Sequence, residues 1–233
     1  MIPFTKHRAR TFGCAALAVV ALVACTVRGD AAVAQRGTSQ PTDFIKPAAP
    51  RGEPAASFPA PTREVADIGA GDGYYVSRLS PMVGASGRVY GNDIVRDYLV
   101  LLQTRVAREK LGNMQVVLGD AHDTRLPSGD VDVAIMIHMY HEIEQPFGLL
   151  WNLATSMKAG GRLVILDLER KTYAHGTPPA LLRCELRAVG YRELSFTRMG
   201  SEEYVAIFAA PTVGARPTPA GIRAQLVASP CRG

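Results

Sequence analysis

Glycines and acidic residues cluster where an apolar run of the sequence gives way to a helical pattern. The stretch 65–76, VADIGAGDGYYV, spaces Gly69, Gly71 and Gly73 two residues apart, and Asp67 stands two residues before the first of them. Glycines at the start of a helix accept positive φ and let a ligand approach the backbone closely. The spacing is not the G-x-G-x-x-G of dinucleotide sites, and an acid at position 67 suits a cation better than a pyrophosphate. The stretch therefore predicts a binding turn for a cationic ligand.

Two further acids follow the next two apolar runs of the chain. Asp93 ends the run VYGND twenty residues past Gly73, where a carboxylate can accept hydrogen bonds from both hydroxyls of a ribose. Asp120 stands beside Ala121 after the third run, in a position to accept a hydrogen bond from the exocyclic amine of an adenine. Together with the glycine turn, these acids predict that the ligand is a cation carrying adenosine.

A histidine-rich segment, IHMYHEI at 137–143, follows the fourth apolar run. His141 is our candidate for a catalytic base or a substrate ligand, with His138 and Glu142 as further catalytic candidates. The alternative is that His138 and Glu142 cap or orient the next segment. Four histidines follow predicted strands and could together bind zinc or iron: His122, His138, His141 and His175. Polar loops also favour histidine for hydrogen bonding, and we predict no metal.

The elements that position these residues alternate along the chain, as βαβ units do. Apolar runs predict seven strands, at 65–68, 88–92, 114–118, 131–137, 162–168, 191–197 and 204–208. Helical patterns predict helices at 74–83, 96–111, 145–157 and 179–189. The expected fold class is α/β, with a mostly parallel sheet and helices on both faces. Every candidate residue then falls at the carboxyl edge of the sheet, where such folds bind ligands.

From 63 to about 209, the chain resembles the class I S-adenosylmethionine-dependent methyltransferases, and within them the bacterial enzymes acting on small molecules. The resemblance implies a Rossmann-like sheet of seven strands with an antiparallel last strand, S-adenosylmethionine as cofactor and a small-molecule acceptor. It also implies three sets of contacts. The methionine part of the cofactor is lined by Asp67, Gly69, Ala70, Gly71 and Gly73, the ribose is held by Asp93, and the adenine amine is held by Asp120 beside Ala121.

Two features depart from the family pattern. The turn before the fifth strand reads K-A-G-G at 158–161 where the family usually has K-P-G-G, a change that touches no ligand. Family members also place one or two helices ahead of the first strand, which cover the cofactor. Here a Pro-rich linker, 35–62, leads into the strand, and this puts the exclusion of water from the site in doubt.

The start of the chain resembles an export signal, because Lys6, Arg8 and Arg10 precede an apolar run from 14 to 25. Two cleavage positions compete. LVAC at 22–25 resembles the lipobox of lipoproteins, with cleavage after Ala24, and AVA at 32–34 suits ordinary signal peptidase. We therefore expect an exported or membrane-anchored protein of the periplasm. The alternatives are an uncleaved anchor, or a start assigned too early, which would leave the domain in the cytoplasm.

The predicted organisation is a signal or anchor at 1–34, the linker at 35–62, the methyltransferase domain at 63–209 and a disordered tail at 210–233. Of the four cysteines only Cys184 and Cys231 lie beyond the signal, so no disulfide framework is expected. The formal net charge of +5 falls to +2 without Lys6, Arg8 and Arg10, the basic residues before position 26, and no basic stripe indicates nucleic-acid binding. The oligomeric state is not readable from the sequence.

Two other classes of function are alternatives to methyl transfer. A nicotinamide-dependent oxidoreductase could use a similar sheet, but the glycine spacing and Asp67 argue against it. An exported binding protein that retains the fold without catalysis is the second alternative, because S-adenosylmethionine is made in the cytoplasm.

Overall fold

A computed structural model of the protein describes residues 63–232. Its strands are β1 (Glu64–Ile68), β2 (Arg88–Asp93), β3 (Met114–Leu118), β4 (Val131–Ile137), β5 (Met157–Leu168), β6 (Arg192–Met199) and β7 (Glu203–Ala209). Its α-helices are α1 (Val76–Val83), α2 (Arg96–Glu109), α3 (Pro146–Ser156), α4 (Pro179–Val189) and α5 (Pro219–Ala228). Short 3-10 turns at Tyr140–Glu142 and Thr172–Ala174 follow β4 and β5.

The seven strands form one sheet in the order β3-β2-β1-β4-β5-β7-β6. Strands β1 to β5 pair in parallel, and β7 is antiparallel to both of its neighbours. The predicted α/β class, the seven strands and the antiparallel last strand are confirmed. Strand β5 begins earlier than expected, because Met157 pairs with Val131 and the residues up to Gly161 extend the strand instead of ending a helix.

Helices cover both faces of this sheet. On one face α1 and α2 pack over β2 around a small cluster that includes Val76, Val89 and Leu102. On the other face α3, α4 and α5 cover the larger core, in which Leu150 of α3 and Leu186 of α4 are fully buried. The sheet and its two helical layers thus bring the carboxyl ends of β1 to β5 together at one edge.

The C-terminal segment is ordered, and the predictions of a disordered tail and of no disulfide were wrong. Ile222 and Leu226, four residues apart on α5, bury against the larger core. A disulfide joins Cys184 of α4 to Cys231, which is 2% exposed. The Pro, Ala and Gly content of this region concealed a short helix that buries two apolar residues at helical spacing.

The predicted signal at 1–34 and linker at 35–62 lie outside the described residues. Within 63–232, no helix combines the length and the apolar character needed to cross a bilayer.

Candidate functional site

The turn between β1 and α1 is held to the end of β2 by its own backbone. The N–H groups of Gly69 and Ala70 donate to the carbonyl of Asn92 at 2.8 and 2.9 Å. The N–H of Gly71 donates to Oδ2 of Asp93 at 2.9 Å. The turn is therefore fixed against β2 by both a main-chain carbonyl and a carboxylate.

The glycines of this turn all have positive φ, at +76°, +55° and +88° for Gly69, Gly71 and Gly73. A Cβ on Gly73 would lie 2.4 Å from Leu102, so close packing on α2 requires glycine there. A Cβ on Gly71 would meet nothing within 4 Å. Position 71 therefore borders open space, and a side chain there would fill the volume that a ligand against the turn would use.

Asp67 is a buried carboxyl group near the end of β1, with 2% of the residue exposed. Its Oδ2 has no hydrogen-bond partner among the residues that the structure describes. Burial, together with the charge of Asp93, raises the pKa of Asp67 to about 7. A buried, unpaired acid of this kind is unfavourable by itself, and a cation that donates hydrogen bonds would both neutralise and satisfy it.

Asp93 ends β2 with its carboxylate largely enclosed, at 7% exposure. Oδ2 accepts the N–H of Gly71 at 2.9 Å, and Oδ1 accepts the N–H of Val95 at 2.8 Å. A carboxylate offers about four acceptor positions, so one remains on each oxygen. Two remaining acceptor positions match the two hydroxyls of a ribose, and the prediction for Asp93 is compatible with the geometry.

Asp120 follows β3 and is already engaged by its neighbours. Its Oδ1 accepts the N–H groups of His122 and Asp123, and its Oδ2 accepts a guanidinium N–H of Arg125 at 2.9 Å. Partial burial acts to raise the pKa of Asp120, but the bonds from His122 and Arg125 outweigh it and lower the pKa below its ordinary value. An adenine amine would share Oδ2 with Arg125, beside the half-buried Ala121.

His141 forms a buried hydrogen-bonded network after β4. Its Nδ1 lies 3.0 Å from Oδ1 of Asp167, and the two side chains are 5% and 0% exposed. Oδ2 of Asp167 accepts the hydroxyl of Thr177 at 2.8 Å. Pro178 directly precedes α4, and Thr177 is fully buried against Asp167. His141 is thus held by Asp167, which Thr177 orients in turn.

The other catalytic candidates surround this network without joining it. His138 has φ +51° and places Nε2 3.2 Å from Oε1 of Glu203 on β7. Glu142 is 63% exposed, with Oε1 4.0 Å from Nε2 of His141. The ring of His175, which has φ +56°, stands edge-on to that of His141 at 5.8 Å. Two non-glycine residues at positive φ cost about 1 kcal/mol each or more, a strain that clusters at functional sites.

Acidic groups on both sides of the site affect the side chain of Tyr75. Burial raises its pKa above the ordinary value, and Tyr74, Asp67 and Glu203 add to the rise. Asp67 belongs to the turn, whereas Glu203 contacts His138. Charges from both halves of the site therefore act on the same tyrosine, and the side chain of Met139 lies against Gly69 of the turn.

The histidines do not assemble a metal centre in the part of the chain that the structure describes. His122 lies beside Asp120, 3.1 Å away, and His138 beside Glu203. Within 63–232, no group of three or more His, Cys, Asp or Glu side chains has the arrangement to hold a metal ion. The zinc or iron alternative gains no support from these residues.

Sequence reasoning missed Asp167 and Glu203 as members of this site. Asp167 could have been found, because it lies one residue before the end of β5, as Asp93 ends β2, and the carboxyl ends of parallel strands meet at one edge. Glu203 could not, because its place depends on β7 running antiparallel and beginning where the parallel strands end.

The hydrogen-bond acceptors and the open turn of the site fit S-adenosylmethionine. The cofactor is a cation with an α-amino group, and the site offers the unpaired Oδ2 of Asp67. It carries a ribose, and Asp93 retains two acceptor positions. Its amino-acid part needs backbone without side chains, and Gly71 leaves that space open.

Comparisons with known proteins agree with this fit. Residues 66–165 match a family model described as a methyltransferase domain. The ubiquinone/menaquinone biosynthesis C-methyltransferase UbiE of Pasteurella multocida is 29% identical over 113 residues, 46% of this chain and 40% of the relative. The demethylmenaquinone methyltransferase of a Geobacillus strain is 24% identical over 110 residues, 47% of each chain. The chain spans less than half the length of these relatives.

A solved structure extends the likeness over most of the described residues. The S-adenosylmethionine-dependent methyltransferase of Aquifex aeolicus is similar with a TM-score of 0.61 and 25% identity, over 65% of this chain and 84% of that one. The sheet order and the matched family model agree with this likeness. The described part of the chain is therefore a class I S-adenosylmethionine-dependent methyltransferase domain.

Proposed function

We propose that the protein transfers a methyl group from S-adenosylmethionine to a small-molecule acceptor. The observation that carries the proposal is Asp67, a buried acid on the strand that leads into an open glycine turn, whose Oδ2 has no hydrogen-bond partner within 63–232. A pyrophosphate would be repelled at this position, whereas the cationic end of S-adenosylmethionine would be held there.

The bound cofactor supplies a sulfonium-activated methyl group, so the protein has mainly to position two molecules. Asp67 and the turn hold one end of the cofactor, and Asp93 holds the ribose. The histidine segment after β4 lies at the same edge of the sheet and contacts β5 through His141 and Asp167. The names of two relatives support a small acceptor, because both are methyltransferases of quinone biosynthesis.

Calorimetry with the purified protein tests the proposal directly. We expect binding of S-adenosylmethionine and S-adenosylhomocysteine and none of NAD. Gly71→Ala should weaken binding at least about 10-fold, because its Cβ enters the ligand's space while the fold is kept. Gly129→Ala is the matched control, since Gly129 also has positive φ and an open Cβ position but precedes β4 at the opposite edge of the sheet. Absence of binding by both sulfur nucleosides at millimolar concentration would overturn the proposal.

We further propose that the protein acts outside the cytoplasm. The proposal is supported by the export-like pattern at 1–34 and by the disulfide between Cys184 and Cys231, since disulfides persist mainly in oxidising compartments. The same disulfide favours a second candidate function, an exported protein that binds a sulfur nucleoside without turnover, because the cofactor is made in the cytoplasm.

Fractionation of a bacterial host that expresses the full chain tests the location. We expect the protein in the periplasmic or membrane fraction, with Cys184 and Cys231 resistant to alkylation until a reductant is added. Radioactive palmitate distinguishes the cleavage sites. A label that Cys25→Ser removes indicates processing after Ala24, whereas an unlabelled chain beginning at Gln35 indicates processing after Ala34. Recovery in the cytoplasm with both thiols free would refute export.

A further inference from the structure

The pair formed by His141 and Asp167 is more enclosed than any other histidine contact in the described site. The two side chains are 5% and 0% exposed, and Nδ1 of His141 lies 3.0 Å from Oδ1 of Asp167. His138, by contrast, meets Glu203 with 41% of its side chain exposed. Burial strengthens the hydrogen bond of this pair, since bulk water does not compete for it.

Three donors converge on the carboxylate of Asp167 and fix its orientation. The backbone N–H of Leu168 donates to Oδ1 at 2.9 Å, and the hydroxyl of Thr177 donates to Oδ2 at 2.8 Å. The third donor is Nδ1–H of His141, because a carboxylate accepts and does not donate. The neutral imidazole then has no proton on Nε2, and the lone pair of that nitrogen is available as a base.

The segment that carries His141 adjoins the glycine turn. His141 belongs to the 3-10 turn Tyr140–Glu142, and Met139 just before it packs against Gly69 of the glycine turn. Nε2 faces the exposed Glu142, whose Oε1 is 4.0 Å away. The base therefore stands where the loops after β1, β4 and β5 meet.

We propose that Asp167 is a positioning residue that presents His141 as the proton acceptor of the reaction. The acceptor is consequently a phenol or an enol, which must lose a hydroxyl proton to react, and not a thioether or tertiary amine, which has none to lose. This inference rests on the proposed methyl transfer and names the chemistry of its acceptor.

The step balances as an in-line displacement. The acceptor hydroxyl gives its proton to Nε2 of His141, and the electron pair released attacks the methyl carbon through the oxygen or the conjugated carbon. The bond from methyl carbon to sulfur breaks, with its electrons left on sulfur. The imidazolium is stabilised by Asp167 and Thr177 until the proton passes to water; where carbon is methylated, the ring proton follows the same route.

Nuclear magnetic resonance of protein labelled with ¹⁵N-histidine tests the arrangement without any acceptor. At about pH 8 we expect His141 in the Nδ1–H form, with Nε2 unprotonated, and loss of this preference in Asp167→Asn. A wild-type His141 with its proton on Nε2 would overturn the proposal. Both proteins should still bind S-adenosylhomocysteine with equal affinity, so that failure of this inference is distinguished from failure of cofactor binding.

Two probe acceptors separate positioning from a purely structural role. At about pH 8 catechol keeps its hydroxyl protons, whereas thiophenol is ionised without help. We expect Asp167→Asn to lower kcat about 100-fold with catechol and Thr177→Val about 10-fold, with little change for thiophenol. Tyr191→Phe, which removes a buried hydroxyl bonded to the carbonyl of Leu150, is the matched control and should lower thermal stability alone. An equal loss with both acceptors would contradict the proposal.

Discussion

Asp67→Asn is expected to stabilise the free protein at pH 8 and to leave its stability near pH 4 almost unchanged. The carboxyl of Asp67 has a pKa of about 7 in the folded protein against 3.8 as an ordinary value, chiefly because it is buried. A raised carboxyl pKa means that stability is lost as pH rises from about 4 through 7. At 1.36 kcal/mol per unit, the ionised group costs up to about 4 kcal/mol, which asparagine removes.

Urea unfolding of both proteins at the two pH values measures the effect. Asp72→Asn is the matched control, because Asp72 lies in the same turn but is 55% exposed and pairs with Arg105. Its stability should change by less than about 1 kcal/mol at either pH. Equal stability of wild type and Asp67→Asn at pH 8 would show that the acid is not destabilising.

The same substitution should weaken binding of S-adenosylmethionine, because the neutral amide cannot balance the cation. Binding to the wild type near pH 6.5 should release a proton from Asp67, and calorimetry in two buffers of different ionisation enthalpy detects it. In Asp67→Asn that release should vanish. Asp67 therefore lowers the stability of the free protein and raises its affinity for S-adenosylmethionine, a compromise that is common at functional sites.

Removing the disulfide is the second change with a large expected effect. Replacing both Cys184 and Cys231 by serine opens a loop of sequence separation 47, and the chain-entropy model puts the loss at about 4 kcal/mol at 25 °C. Reduction of the wild type should give a similar loss. Without the bond, α5 is no longer linked covalently to α4, although Ile222 and Leu226 still pack on the core. We therefore expect α5 to become protease-sensitive before the rest of the domain.

Urea unfolding with and without reductant measures this loss, and limited proteolysis locates it. A double variant within about 1 kcal/mol of the wild type would show that the bond does not restrain the unfolded chain. Binding of S-adenosylhomocysteine serves as the control, since neither cysteine belongs to the glycine turn and the affinity should be unchanged.

Most of the strands were predictable because apolar residues bounded by glycine or polar residues mark them. The glycine turn was predictable because glycine accepts positive φ most readily, and Gly69, Gly71 and Gly73 do have positive φ. Two helix ends were also predictable, because glycine commonly ends a helix and Gly84 and Gly190 are the C-caps of α1 and α4. The C-cap of α2 is instead Lys110, in the left-handed conformation, two residues before Gly112.

What could not be predicted depends on contacts between distant segments. Asp67 was identified by its type and spacing, but its unpaired, buried state follows from the packing of β1 between β2 and β4. The hydroxyl of Thr177 bonds Asp167, and only the position of β5 makes that partner available. The pairing of Cys184 with Cys231 likewise requires α5 to pack beside α4.

The strand order also fixes a sequence of folding events. β6 precedes β7 in the chain, yet it joins the sheet only through β7, which lies between it and β5. β6 therefore joins the sheet only once β7 has been synthesised. Cys231 follows both strands, so the bond to Cys184 can form only after every strand of the sheet has been synthesised.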